Sequence, residues 1–350
     1  MRRIPAALLI VALVGVAMLP AWSVSGRSGS PKPHPTQRPK ATATPAPTAS
    51  PTATPTATPN PTATPGPTST PGPSATPACA LFPADNVWNR EITGLPVRSD
   101  SAALLNAIGL TTGLHPDFSN SGGYGIPFNI VGATTPRYTV SFYYADESDP
   151  GPYPIPDDPL IEGGSDRHLL AWDTSSCYLY EIFDAAKVGS SWTGGSGAIW
   201  DLRSNALRPD GWTSADAAGL PILPGLVRYE EVAAGVIAHA LRFTAPYTAR
   251  AHIYPARHDA GCTTSSRCLP PMGLRMRLKA SVDISRFGSQ ARVLLTALKR
   301  YGMLLSDNGS AWYITGAPDA RWNDDELHVM NTITGADFEA VDTSGFFSGS

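Results

Sequence analysis

Glu230 and Glu231 stand side by side in GWTSADAAGLPILPGLVRYEEVAAGVIAHALRFT, residues 211–244, a stretch that also carries Asp216, Arg228, His239 and Arg242. Grouped carboxyls suit acid–base work: cleaving a glycosidic bond takes one carboxyl that holds a proton and a second that is ionised. Glu230 is the expected proton donor, and Asp201 in the run IWDL the expected ionised partner, with Asp216 the other choice for that place. A lyase would use the same stretch differently, with His239 removing a proton and Arg242 neutralising a substrate carboxylate. A plainer role stands beside both. Acids in the first turn of a helix favour its positive end by about 0.3–1 kcal/mol each. His239, set among Ile237, Leu241 and Phe243, fits equally well as a neutral imidazole in an apolar layer.

Two further histidines, His252 and His258, follow in HIYPARHD. With His239 they could offer three imidazoles to a metal, but no HxH or HExxH spacing accompanies them. No metal or other cofactor is therefore expected, and His252 and His258 join Asp216 and Arg242 as expected substrate-binding residues. Trp200, Trp312 and Trp322, like Trp192 and Trp212, lie near glycines, turns or strand ends, and Arg321 stands beside Trp322 in DARWNDDEL. Flat rings next to charged groups suit the apolar faces and hydroxyls of sugars, and the competing role for such rings is to fill a core. A serine nucleophile is disfavoured because GGSGA lacks the GxSxG elbow, and GSSWTGGSGA lacks the GK[ST] ending of a phosphate loop.

The elements that must position these residues read mostly as strands. Residues 137–145, 168–173, 177–184 and 197–202 are short runs of aromatic and aliphatic side chains bounded by Gly, Pro, Ser or Asp. VIAHALRFT alternates, with Ile237, His239, Leu241 and Phe243 on one face. LRMRL places Leu274, Met276 and Leu278 inward and Arg275 and Arg277 outward. Helical spacing predicts helices over residues 101–108 and 289–302, and short turns of helix over SADAA and residues 228–234. MLLSDNGSAWYITG reads as a hairpin turning at Asp307, Asn308 and Gly309. The expected fold is mainly β, a β-sandwich of jelly-roll type with a few short helices.

The chain has 350 residues, and its ends differ in kind. Residues 1–26 have the layout of a secretory signal peptide, with Arg2 and Arg3 before an apolar run that is short for a bilayer span. Residues 27–78 are a Pro/Thr-rich linker with too few apolar side chains to build a core, expected to be disordered and extended. Residues 79–350 are read as one β-rich globular domain. All 29 acidic residues fall there with 20 of the 26 basic ones, a net charge of −9 that argues against nucleic acid as partner. An even number of cysteines in an exported chain suggests disulfides rather than zinc. Cys262 and Cys268 bracket the loop TTSSR and form the expected pair, leaving Cys79 to Cys177.

The run GAIWDLRSNALRPDGWTSADAAGLPILPGLVRYEEVAAGVIAHALRFT, together with PARH, LPPMGLRMRLKA, LKRYGMLLSDNGSAWYITG and DARWNDDEL, resembles a group of exported bacterial hypothetical proteins. The resemblance covers most of residues 82–342 and implies homology, but it carries over no activity and no catalytic residue. The residues themselves point to a secreted, monomeric carbohydrate-active enzyme, either a glycoside hydrolase or a polysaccharide lyase, that cleaves extracellular glycan. The alternative is a non-catalytic carbohydrate-binding or cell-surface adhesion domain presented on the linker.

Overall fold

The computed structural model describes residues 79–120, 123–263 and 265–347. The expected signal peptide and linker lie outside the described residues. Within them the chain is mainly β, with 15 strands and four α-helices. In chain order the strands are β1 (His115–Asp117), β2 (Phe128–Val131), β3 (Arg137–Tyr138), β4 (Val140–Phe142), β5 (Tyr153–Pro154), β6 (Leu169–Asp173), β7 (Tyr178–Phe183) and β8 (Ala186–Val188). They continue with β9 (Ser191–Gly194), β10 (Ser196–Asp201), β11 (Leu241–Ala245), β12 (Arg275–Leu278), β13 (Met303–Asn308), β14 (Tyr313–Thr315) and β15 (Phe338–Ala340). The helices are α1 (Ser101–Ile108), α2 (Tyr229–Ala233), α3 (Ser289–Arg300) and α4 (Asp324–His328). No helix among the described residues is long and apolar enough to cross a membrane.

A six-stranded sheet in the order β1-β14-β11-β13-β12-β15 and a four-stranded sheet in the order β10-β7-β6-β2 make up most of the architecture, which is consistent with a β-sandwich. The pairs β1–β14, β11–β13, β2–β6 and β4–β9 are parallel, a departure from the antiparallel ladders of the expected jelly roll. Strands β6, β7 and β10 of the four-stranded sheet are largely buried on both faces, while Ile130 of the edge strand β2 is exposed. Leu170, Leu179, Ala198 and Trp200 face the main core, while Leu169, Ala171, Tyr180 and Ile182 belong to a second, smaller cluster with Val140, Tyr153 and Trp192. Burial of both faces explains why these strands read as nearly unbroken apolar runs. In α3, Ala291, Leu294, Leu295 and Leu298 form the apolar stripe that packs into the main core. The helix stops at Gly302, where φ is +66° and an added Cβ would lie 2.1 Å from the Met276 carbonyl oxygen. Two disulfides form, Cys262–Cys268 as the spacing predicts and Cys79–Cys177 as the remaining pair.

Three local expectations are corrected. The hairpin of residues 303–316 does not form, because β11 inserts between β13 and β14. The loop that joins those two strands wraps the end of β11, where the Gly309 amide donates to Ala245 and the Trp312 amide to Thr244. Residues 236–240 are not part of a strand; β11 begins at Leu241. Arg275 does not point outward. It is fully buried, because its guanidinium finds three carbonyl acceptors, on Tyr301, Val87 and Arg90.

Candidate functional site

A β-bulge creates the centre of the site. Along the β11–β13 ladder Arg242 faces Leu304 and Phe243 faces Leu305, but Thr244 faces Asp307, so Ser306 is an extra residue in β13. Residues opposed across a ladder share a face, and side chains alternate along each strand. Without the extra residue Asp307 would project from the face opposite Arg242; with it, both project together. The Asp307 Oδ2 lies 3.7 Å from the Arg242 Nη2. On the other side of β11, the Arg242 Nη1 donates to the Thr315 hydroxyl at 2.9 Å.

The third group comes from the connector that the sequence crowds with small residues and prolines. Asp216 accepts from Arg242 through Oδ2 at 3.0 Å from Nη2 and 3.3 Å from Nε. Its side chain is closed to solvent. The predicted helix over SADAA is absent; residues 213–220 are instead tied residue by residue to both sheets. The Ser196 hydroxyl donates to the Ser214 carbonyl, the Ser214 hydroxyl reaches the Leu220 carbonyl, and His258 Nδ1 sits 2.8 Å from the Ala217 carbonyl. The Ala218 amide donates to the carbonyl of the bulge residue Ser306. One turn further on, Glu181 of β7 accepts the backbone amides of Ile222 and Leu223 and the indole N–H of Trp200. Those three donors satisfy a carboxyl with no exposed surface. The two backbone bonds add a second anchor of the connector on the four-stranded sheet, beside that of Ser196 on Ser214.

Asp216 and Asp307 both line a cavity of about 240 Å³ with Tyr144, Glu147, Phe183, Ser196, Thr213 and His258. Burial, and then the charge of Asp216, push the Asp307 carboxyl up to about 7, although a quarter of its side-chain surface is open. Burial also raises Asp216, against the pull of Arg242. The Asp216 charge thus favours a proton on Asp307, the member of the pair with open surface. Glu147 is the other carboxyl with open surface in the cavity. Its Oε2 accepts the Thr213 amide at 3.0 Å and lies 3.9 Å from His258 Nε2. Chemically, the cavity offers a proton donor and a second carboxyl among aromatic rings and hydroxyls.

Of the residues predicted from sequence, Asp216, Arg242 and His258 meet here. The others lie elsewhere. Glu230 is largely exposed and pairs with Arg321, whose guanidinium lies 4.1 Å from the Tyr229 ring centroid. Asp201 pairs with Arg203 at the surface, and neither Glu230 nor Asp201 lines the cavity of Asp307. His239 is buried between Arg228, Glu231 and the Ala240 carbonyl. Burial works to raise the Glu231 carboxyl, but His239 and Arg228 outweigh it and hold it below the ordinary range. His252 lies between Asp210 and Asp259. The three imidazoles thus have separate partners, and among the described residues no group of three or more His, Cys, Asp or Glu is arranged to hold a metal ion. Trp200, Trp312 and Trp322, expected on a substrate, are instead buried, with their indole N–H groups on Glu181, Gly109 and Ala317. Their rings have no open face for a sugar. Asp307, Glu147, His168, Glu162 and Glu181 were not anticipated. A charged residue inside an apolar run, as in YLYEIF, was the one available signal.

No family model, no curated protein and no solved structure matches the chain.

Proposed function

We propose that the protein is a secreted carbohydrate-active enzyme that cleaves glycosidic bonds of extracellular polysaccharide at the cavity of Asp307 and Glu147. The observation that carries this reading is the pair Asp216 and Asp307 on one guanidinium, with only Asp307 open to the cavity. A general acid must hold a proton at working pH and face the site, and what supports Asp307 is a carboxyl pushed up to about 7 with a quarter of its side chain open. Glu147 serves as the second carboxyl that hydrolysis requires. Arg242 and Asp216 hold the acid in place without touching substrate. Hydrolysis is favoured over elimination, because a lyase needs a free cation for the substrate carboxylate and Arg242 is committed to Asp216 and Thr315. The acidic balance of the domain favours a neutral or cationic glycan over a polyanion. The signal sequence, the linker and the resemblance to exported bacterial proteins support an extracellular site of action, and a jelly-roll ancestry of the sandwich belongs to the same reading.

Incubating the purified protein with a panel of plant, fungal and bacterial polysaccharides tests the assignment. New reducing ends are expected, lost in Asp307→Asn and Glu147→Gln and kept in Glu230→Gln. Loss in Glu230→Gln alone would move the chemistry to the Arg321 surface. Retention on a polysaccharide without any release would favour the carbohydrate-binding alternative.

A further inference from the structure

His168 stands immediately before β6 and is buried. Its Nδ1 lies 2.5 Å from the Glu162 Oε2 and its Nε2 lies 2.9 Å from the Ala215 carbonyl oxygen. A carbonyl oxygen only accepts, so Nε2 carries a proton toward Ala215, and with Glu162 ionised its oxygen accepts as well, so that Nδ1 carries a second. Beside an ionised Glu162, a neutral imidazole has one N–H and would leave either Ala215 or Glu162 facing a lone pair. Ala215 immediately precedes Asp216, so the ring holds the residue next to the buried carboxylate.

We propose that His168 is a buried imidazolium that acts as a positioning residue, clamping the Asp216 loop and setting by its charge the pH range in which the cavity can supply a proton. This rests on the reading of Asp307 as the general acid. The groups facing His168 are Glu162 from the preceding loop, Glu181 from β7, Asp216 from the connector, Arg242 from β11 and Asp307 from β13, with the Phe183 ring 5.8 Å away. Burial opposes the charge on His168, but Glu162 outweighs burial and holds the imidazole above its ordinary range. The same positive charge stabilises ionised Asp307, against the burial and the Asp216 charge that keep it protonated. Removing the His168 charge while keeping its hydrogen bond to Ala215 must therefore make Asp307 hold its proton to higher pH.

Histidine-selective ¹⁵N spectra of the intact protein at pH 7.5 test the charge directly. Two protonated ring nitrogens on His168, identified by its loss in His168→Gln, are expected, and one bare nitrogen would overturn the proposal. The Asp307 midpoint, followed by ¹³C-carboxyl spectra and assigned with Asp307→Asn, is expected to rise by about one pH unit in His168→Gln. In His168→Gln with Glu162→Gln the rise should be smaller, since a nearby negative charge is removed as well. An unchanged midpoint in both variants would reduce His168 to a structural tie. If the single variant does not fold, the double variant and the wild-type ring spectra still decide the matter. None of these readouts needs substrate, so a failure to cleave polysaccharide bears on the glycan reading and not on His168.

Discussion

Arg242 and Arg275 project from the same face of the six-stranded sheet, one on either side of Leu304, which is opposed to both across the ladders. Each is buried, yet their partners differ in kind. Arg275 donates only to backbone carbonyls, and burial pushes its guanidinium down to about 9. Arg242 is also disfavoured by burial, but Asp216 and Asp307 more than compensate and its guanidinium is raised. Carbonyls cannot change charge, so Arg275 ties the segment of residues 87–90 to the sheet and does nothing else. Carboxyls can, and the two on Arg242 meet a cavity. Buried charge alone does not mark a site; buried charge with titratable partners at a cavity does.

The largest effect that would sharpen this comparison is on stability. Arg275→Met should cost about 3–5 kcal/mol, because it strands the buried carbonyls of Tyr301 and Val87, and should leave activity per folded molecule unchanged. Urea unfolding with an activity assay on the folded fraction measures both. Arg242→Met should lose stability by a similar amount, through the uncompensated Asp216, and activity as well. Adding Asp216→Asn to Arg242→Met should recover most of the stability and none of the activity. If Arg275→Met also abolished activity in folded protein, the division between the two arginines would fail.

The next effect concerns Asp307 alone. Asp307→Asn should lower turnover by about 10²–10⁴-fold, the range for removing a general acid. It should also make the protein more stable at pH 8 than the wild type. The sign follows from the raised carboxyl: folded Asp307 keeps its proton up to about 7, whereas an unfolded aspartate releases it near 4. The native state then binds more protons between those values, so wild-type stability falls as pH rises through that window. Asparagine removes the penalty, by an amount on the order of 1–2 kcal/mol at pH 8 and close to nothing at pH 4. Thermal unfolding at the two pH values checks it, and wild-type activity should decline above about pH 7.

Much of the scaffold was legible in the sequence. Helices over residues 101–108 and 289–302, the strands now seen as β6, β7 and β10, the mainly β fold and both disulfides follow from patterning, caps and cysteine spacing. The site was less so, for identifiable reasons. Asp307 precedes Asn308 and Gly309, and turn chemistry is a strong local signal, so the stretch reads as a hairpin turn. Only tertiary structure shows that β11 separates the two strands and that an extra residue swings Asp307 round. Arg242 and Asp216 were singled out from their crowded stretch, but Glu230 and Asp201 drew the acid–base role through their neighbours in sequence. Proximity in the chain says nothing about which carboxyl is open to a cavity.

The smallest effect lies at the cavity mouth. A volume of about 240 Å³ is below the roughly 300–1,000 Å³ of drug-sized ligand pockets, so under the proposed glycan reading a polymer would continue outside it. Tyr144 lines the cavity, and beside it Tyr143 stands 82 % exposed with the two rings 4.8 Å apart. Under the same reading that exposed ring would stack on the next sugar unit. Tyr143→Ala removes a contact of about 0.5–1.5 kcal/mol, so KM for polysaccharide should rise roughly 2–10-fold with kcat and unfolding unchanged. A substrate small enough to fit within the cavity should show no change. Equal losses on both substrates would place Tyr143 inside the reacting site, and no loss on either would move the polymer's path away from the Tyr143 edge.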